Sequence, residues 1–200
     1  MQQTVNKNVA PKDAKLVMAN FYVAFIALLL GGLAGLVQVL VRSGEFTIPG
    51  GIKIGYYQVL TVHGILLALI LTTFFILGFQ IAAVSRTAGA LTDTQRKIGW
   101  IGFWLMTLGT AMAATMVLLN KATVLYTFYA PLKAHWIFYL GMTLVVVGSW
   151  LLCVPQIMKY YQWKKQNPGQ TTPLLTYLAF VNCLLWITCS LGVAVEVLFQ

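Results

Sequence analysis

The sequence predicts an all-α fold, a polytopic membrane helix bundle with five transmembrane helices. Hydrophobic residue types fill 60% of the 200 positions and charged types only 8%. A soluble domain carries about 25% charged residues, so this chain has too few polar side chains to face water. A bilayer-crossing helix needs a run of about 20 apolar residues, and five runs reach that length. They cover roughly 17–41, 56–84, 98–119, 135–158 and 174–200.

The first two runs are separated by a strong break. Residues 1–16 form a polar cytoplasmic tail in this prediction, and the bundle occupies 17–200 as one part of a larger domain. Pro49-Gly50-Gly51 interrupts the chain before the second run, and such a cluster is typical of a turn. Within lipid every backbone N–H and C=O must bond inside its own segment, so both runs are predicted to be helices.

The remaining three runs have equally clear ends. Asn120 begins the connection after the third run, and Asn167-Pro168-Gly169 lies in the connection before the fifth. Pro155 falls late in the fourth run, where we expect a kink in the last turns because proline lacks a backbone N–H.

Lysine and arginine residues are distributed unevenly between the connections. Nine lie in the N-terminal tail and in the second and fourth connections, whereas four lie in the first and third. Because cytoplasmic loops of membrane proteins carry the excess of these residues, the N-terminus is predicted to be cytoplasmic. The net charge of +9 arises from these short segments. It therefore indicates topology and contact with the lipid bilayer, and it argues against nucleic acid as a partner.

His63 is the residue of the second run that is most suited to a chemical role. It lies about two turns inside the predicted helix, and the next ionisable residue along the chain is Arg86. Ionisable residues at membrane depth are costly and usually functional, and a neutral imidazole is a good axial ligand for iron. Gly64 follows directly and removes a side chain where a flat macrocycle would approach. The alternative is a histidine that is hydrogen-bonded to a neighbouring helix.

His135, the second of the two histidines, opens the fourth run. The helices of both histidines are predicted to begin at the outer side of the membrane, but His63 lies about 10 Å below that side and His135 lies near it. Two nitrogens on one iron must be about 4 Å apart, so the two histidines are not expected to share a metal. His135 beside Trp136 is predicted to be an interfacial anchor. If His63 binds iron, its second ligand must come from outside this chain.

The third connection, residues 121–133, carries three aromatic side chains and only two charges. A free outer loop is more polar, so we expect this segment to be buried against other protein. An interfacial aromatic belt is the alternative.

Small residues recur at the spacing that allows close contact between membrane helices, and we expect them to serve packing. The two pairs are Gly31 with Gly35 and Gly109 with Ala113. The three cysteines lie in apolar runs and are predicted to act as small apolar side chains. Cys183 and Cys189, six residues apart, fall on different helix faces.

The last five residues, Glu196 to Gln200, have two interpretations. They resemble what a picornaviral 3C protease leaves after cleaving its recognition site, and a native sequence is the alternative. In either case the chain is interpreted as the front part of a longer protein.

Several stretches together resemble one known family. They read YYQVLTVHG over 56–64, ATVLYTFY over 122–129, KAHW over 133–136, WKKQNPG over 163–169 and TPL over 172–174. This set resembles subunit I of the B-family, or ba-type, haem–copper terminal oxidases of bacteria and archaea. The A-family has a proton-path aspartate in an Asn-rich connection after the second helix. Here segment 85–97 contains Asp93 but no asparagine, which favours the B-family.

The resemblance implies the role of two residues. His63 corresponds to an axial ligand of the low-spin haem, expected to be b-type, and Tyr126 matches an aromatic position near the dioxygen-reducing centre. The second low-spin ligand and the ligands of the high-spin haem and copper lie on later helices of a 12–13-helix subunit. We therefore expect no catalytic residue in this chain, and no activity from it alone.

The family further implies an enzyme of the bacterial or archaeal cell membrane that reduces dioxygen to water and translocates protons. Its partners would be the remaining helices of subunit I, oxidase subunit II and small subunits, with cytochrome c or quinol as electron donor. A nitric oxide reductase of the same superfamily is one alternative, and a cofactor-free membrane bundle or transporter fragment is another. An optical spectrum distinguishes the last, since low-spin haem gives sharp reduced-minus-oxidised bands.

Overall fold

The computed structural model describes residues 8–44, 55–125 and 132–198, and these are almost entirely helical. Five of its helical stretches are long and apolar enough to cross a membrane, and one of them, Tyr56–Thr87, includes a π-helical segment. This confirms the predicted all-α polytopic fold and its five helices. In chain order the elements are α1 Pro11–Ser43, α2 Tyr56–Gly64, the π-helical segment Ile65–Leu71, α3 Thr72–Thr87, α4 Asp93–Leu118, α5 Trp136–Gln166 and α6 Leu174–Leu198.

The helices extend beyond the apolar runs that predicted them. α1 begins at Pro11 rather than near residue 17, α4 at Asp93 rather than near 98, and α5 continues to Gln166 rather than ending near 158. An apolar run marks the part of a helix that lies in hydrocarbon. The backbone hydrogen bonds of the helix continue into polar flanking segments, and some of these contain residues that favour a helix N-terminus. Proline at the first helical position, as in α1, is one such start.

α4 begins with a second kind of start, a capping box. The Gln95 backbone N–H donates to Thr92 Oγ1 at 3.2 Å, and the Thr92 N–H donates to Gln95 Oε1 at 2.9 Å. Two backbone donors at the helix end are thereby satisfied reciprocally.

The connections contain residues with the backbone conformations that turns require. Asn120 follows α4 with φ +53°, Gly89 lies between α3 and α4 with φ +89°, and Gly169 lies before α6 with φ +78°. These positions confirm the predicted ends at Asn120 and at the Asn-Pro-Gly sequence. Pro155 lies inside α5, which continues past it. The break at 49–51 falls outside the described residues.

The chain divides into two compact units. The first unit comprises Met1–Phe21, Ile76–Met106 and Val145–Gln200, and the second comprises Tyr22–Phe75 and Thr107–Leu144.

In each unit α4 and α5 pack backbone against backbone at glycine residues. In the first, a Cβ on Gly102 would lie 2.6 Å from the carbonyl oxygen of Gly148. In the second, a Cβ on Gly141 would lie 2.6 Å from the carbonyl oxygen of Gly109 and 3.0 Å from the Ala113 nitrogen. The packing role predicted for Gly109 with Ala113 is confirmed.

The spans differ in how much of their surface the described chain covers. The most apolar windows of α1 and α6 are only 17% and 22% buried, compared with 39–44% for the other three. α1 and α6 therefore offer the largest apolar surfaces to lipid or further protein. On α6 the prediction that Cys183 and Cys189 fall on different helix faces is confirmed, since Cys183 is buried and Cys189 is exposed.

Candidate functional site

His63 is held against α1 by one hydrogen bond. Its Nδ1 lies 2.8 Å from the carbonyl oxygen of Gly31, and the side chain is part-buried. A carbonyl oxygen only accepts, so Nδ1 carries a proton and donates it. In the neutral ring the lone pair is then on Nε2, to which the described residues donate no hydrogen bond. This is the arrangement of metal-binding histidines, in which the second ring nitrogen bonds a backbone carbonyl.

Two glycines of α1 make the space for this contact. A Cβ on Gly35 would lie 2.7 Å from His63 Cε1 and 2.8 Å from Nδ1. A Cβ on Gly31 would lie 2.7 Å from Leu67 Cδ2. The neighbouring Gly32 is different, because a Cβ there would meet nothing within 4 Å. Gly31 and Gly35, predicted to serve helix packing, therefore define where the imidazole lies.

A π-helical segment, Ile65–Leu71, begins two residues after His63. Such segments are rare and are frequently found at functional sites. Thr72, the first residue of α3, donates its hydroxyl to the Ala68 carbonyl at 2.6 Å and so satisfies a backbone acceptor of this segment. The sequence ILLALIL contains no glycine or proline that could have indicated the change of helix type.

The end of α4 and the start of the α4–α5 connection are hydrogen-bonded to α2, the helix that carries His63. Gln58 Nε2 donates to the Val117 carbonyl near the end of α4 at 2.7 Å, and the Leu125 N–H donates to Thr61 Oγ1 at 3.1 Å. Leu125 has φ +63°, a conformation that costs a non-glycine residue about 1 kcal/mol or more. Thr61 is fully buried, and its hydrogen bond to the Leu125 N–H helps to hold this strained residue in place.

Within the described part of that connection Ala122 and Val124 are inaccessible to solvent, whereas Lys121 and Lys133 are exposed. Burial of the whole segment stays a prediction. Ala122 also pairs with Ala134 in an isolated antiparallel bridge. The three aromatic residues, among them Tyr126, lie outside the described residues. Leu125, the residue before Tyr126, is the last described residue of this part of the connection.

His135 lies immediately before α5 and is tied to its own surroundings. Its N–H donates to the Lys121 carbonyl at 2.8 Å, its Nδ1 accepts from the Ile137 N–H at 3.4 Å, and its ring lies 5.7 Å from that of Trp136. These contacts agree with an anchoring role. Across the described ranges, no three His, Cys, Asp or Glu side chains are grouped to hold a metal.

The first unit contains a buried ion pair that the sequence did not indicate. Asp13 is fully buried, and its Oδ1 accepts from Arg96 Nε at 3.0 Å. Its Oδ2 accepts from Ser85 Oγ at 2.7 Å and from the Leu91 N–H at 2.9 Å. Arg96 also bonds Asp93, whose side chain is 79% exposed. These contacts join α1 to α3, to α4 and to the connection between them across more than seventy positions, and no local pattern predicts such a pairing.

Comparison with known proteins gives consistent results. The family model described as cytochrome c and quinol oxidase polypeptide I matches residues 15–200. A protein named cytochrome c oxidase subunit 1, from Thermus thermophilus, is 37% identical over an alignment of 177 residues that covers 86% of this chain and 31% of that protein. A cryo-EM structure of a haem–copper terminal oxidase dimer superposes with a TM-score of 0.86 at 39% identity, covering 96% of this chain and 33% of that one. The chain spans about a third of the length of these relatives.

Proposed function

Because the chain belongs to the cytochrome c and quinol oxidase polypeptide I family, we propose that it is the N-terminal, five-helix part of a haem–copper terminal oxidase catalytic subunit. The complete enzyme would reduce dioxygen to water and couple this reaction to proton translocation. The family match over residues 15–200 carries the proposal, and the geometry of His63 supports it independently.

His63 is proposed to be an axial ligand of a low-spin haem, expected to be b-type, through Nε2. The residues present fit this group in two respects. The Nδ1–H bond to the Gly31 carbonyl leaves Nε2 with a free lone pair, and Gly35 provides the space for the ring. When bound, the haem would supply one-electron transfer. The contribution of this chain is to hold the ring, keep its Nδ1 proton on a carbonyl, and surround it with apolar residues.

The other metal ligands are proposed to lie on later helices of the subunit. A second low-spin ligand, a high-spin haem and copper need several histidines, and this sequence has two. Among the described residues no group of three candidate ligands exists to hold a second metal. We accordingly expect the 200 residues by themselves to reduce no dioxygen.

Tyr126 is proposed to lie near the dioxygen-reducing centre. The support is indirect and comes from its neighbour. Leu125 bonds Thr61, which is two residues before His63, so the connection contacts α2 at nearly the depth of the proposed haem ligand, on the opposite face of the helix.

The proposed partners rest on the family match, and the exposed surfaces and the charge pattern support them. The weakly covered faces of α1 and α6 are proposed to contact the remaining helices of subunit I, other subunits and the bilayer. Oxidase subunit II and cytochrome c or quinol would complete electron delivery. The excess of lysine and arginine in three segments supports a cytoplasmic N-terminus. The motifs described above support the B-family within the superfamily.

The test is to replace His63 with glutamine in the full-length subunit, with His135→Gln as the matched control. Glutamine still donates and accepts hydrogen bonds, so it can replace a packed histidine but not an iron ligand. We expect H63Q to lose or strongly shift the low-spin bands of the reduced-minus-oxidised spectrum, and H135Q to keep them. Unchanged bands in H63Q would refute the haem assignment. Consumption of nitric oxide without dioxygen uptake by the native enzyme would assign the reductase alternative instead.

A further inference from the structure

Gly35 faces the His63 ring across the contact between α1 and α2. We propose that Gly35 is a positioning residue. Because it has no side chain, the imidazole of His63 can lie close enough to α1 for its Nδ1–H to reach the Gly31 carbonyl. Through that bond Gly35 sets the electron-donor strength of Nε2. This inference rests on the proposed role of His63 as a haem ligand.

The distances show how little freedom the ring has. A Cβ on Gly35 would lie 2.7 Å from Cε1, 2.8 Å from Nδ1 and 3.6 Å from Nε2 of His63. Ordinary contact needs a separation of about 3.5 Å, so a methyl group would displace the ring by about 0.7 Å. If the ring retreats along the hydrogen bond, the 2.8 Å Nδ1···O distance becomes about 3.5 Å, which is too long for such a bond.

The electronic consequence follows from the role of the Nδ1 proton. A histidine that donates Nδ1–H to a carbonyl is a more basic ligand through its other nitrogen. A more basic ligand favours ferric over ferrous iron, so loss of the bond should move the midpoint potential of the low-spin centre to more positive values. Displacement of the ring should also change the ferric low-spin EPR signal.

Gly31 provides a second contact point through a different neighbour. A Cβ there would lie 2.7 Å from Cδ2 and 2.8 Å from Cγ of Leu67, and 3.2 Å from Cβ of Leu66. Leu66 and Leu67 belong to the π-helical segment that follows His63. Close approach of α1 at this point keeps the Gly31 carbonyl within reach of Nδ1. Gly31→Ala should therefore lengthen the same hydrogen bond by separating the helices, and Leu67→Ala should relieve the clash.

The primary experiment compares Gly35→Ala with Gly32→Ala in the full-length, haem-loaded subunit. Gly32 is the matched control, because it is on the same helix and a Cβ there meets nothing within 4 Å. The readouts are the ferric low-spin EPR signal and the midpoint potential of that centre, neither of which requires turnover. We expect G35A to shift the EPR signal and raise the potential, and G32A to match the native protein. Identical signals in G35A and G32A would overturn the inference.

A rescue experiment covers the case in which G35A fails to accumulate. Gly31→Ala should shift both readouts in the same direction, and Gly31→Ala combined with Leu67→Ala should return them toward native values. No shift in G31A, or a shift that L67A does not reverse, would contradict positioning by the glycines. If H63Q loses the low-spin bands while G35A behaves as G32A, only the positioning inference fails. If H63Q keeps those bands, the proposed haem ligand itself is wrong.

Discussion

Replacement of Asp13 by alanine tests how much the buried ion pair stabilises the first unit. The side chain of Asp13 is inaccessible, and its two oxygens accept from Arg96, Ser85 and the Leu91 N–H. Alanine removes all three acceptor contacts. Arg96 is left partly satisfied, because it still bonds Asp93 and the Leu91 carbonyl.

The expected loss can be assembled from these contacts. A charge-assisted hydrogen bond contributes about 1.5–3 kcal/mol, and a buried N–H left without an acceptor, here that of Leu91, costs about 1–3 kcal/mol. The sum agrees with the roughly 3–5 kcal/mol measured when one partner of a buried pair is removed. We therefore expect Asp13→Ala to lower the free energy of unfolding by about 3–5 kcal/mol.

Asp93→Ala is the matched control, because Asp93 bonds the same arginine. Its side chain is 79% exposed, so its contribution should be below about 1 kcal/mol. The assay is unfolding of the full-length subunit from mild detergent by increasing amounts of SDS, followed by circular dichroism. A loss in D13A no larger than that in D93A would refute the reasoning, since burial would then not decide the strength of the contact.

Two further predictions concern packing and topology. Gly141→Ala should cost about 1–3 kcal/mol in the same SDS assay, because its Cβ would lie 2.6 Å from the Gly109 carbonyl, and backbone gives way less readily than a side chain. Gly192→Ala meets nothing within 4 Å and should be neutral; equal effects would contradict the packing argument. In a protein freed of its native cysteines, Thr94→Cys should resist an impermeant thiol reagent added to intact cells. Gly50→Cys should react, and the reverse pattern would invert the topology.

Much of the fold was predictable because it depends on local chemistry. The number of spans follows from the lengths of apolar runs, since hydrocarbon thickness sets the length of a helix that crosses it. The break at Asn120 was predicted for a similar reason, because a turn residue acts on its immediate neighbours. The helix bounds differed, as at Pro11, because side-chain polarity does not report where the backbone hydrogen bonds of a helix stop.

The candidate site was predictable only in part. His63 could be identified because a single imidazole within a long apolar run is evident from the sequence alone. The sequence left open whether it binds a ligand or a neighbouring helix. The structure shows a bond from Nδ1 to the Gly31 carbonyl, which is compatible with ligation through Nε2. A backbone carbonyl is present at every residue, so no sequence pattern could have identified that partner.

By itself the sequence determined the membrane class, the five helices and the family resemblance, and it gave His63 as the candidate iron ligand. The tertiary structure alone decided which residues approach one another. In the structure Gly35 lies against the His63 ring. Asp13, in the segment predicted to be a polar tail, is a buried partner of Arg96, and a π-helical segment lies within an unbroken apolar run. The reason is physical: apolar length and charge act locally along the chain, whereas these contacts depend on the rotation and separation of helices distant in sequence.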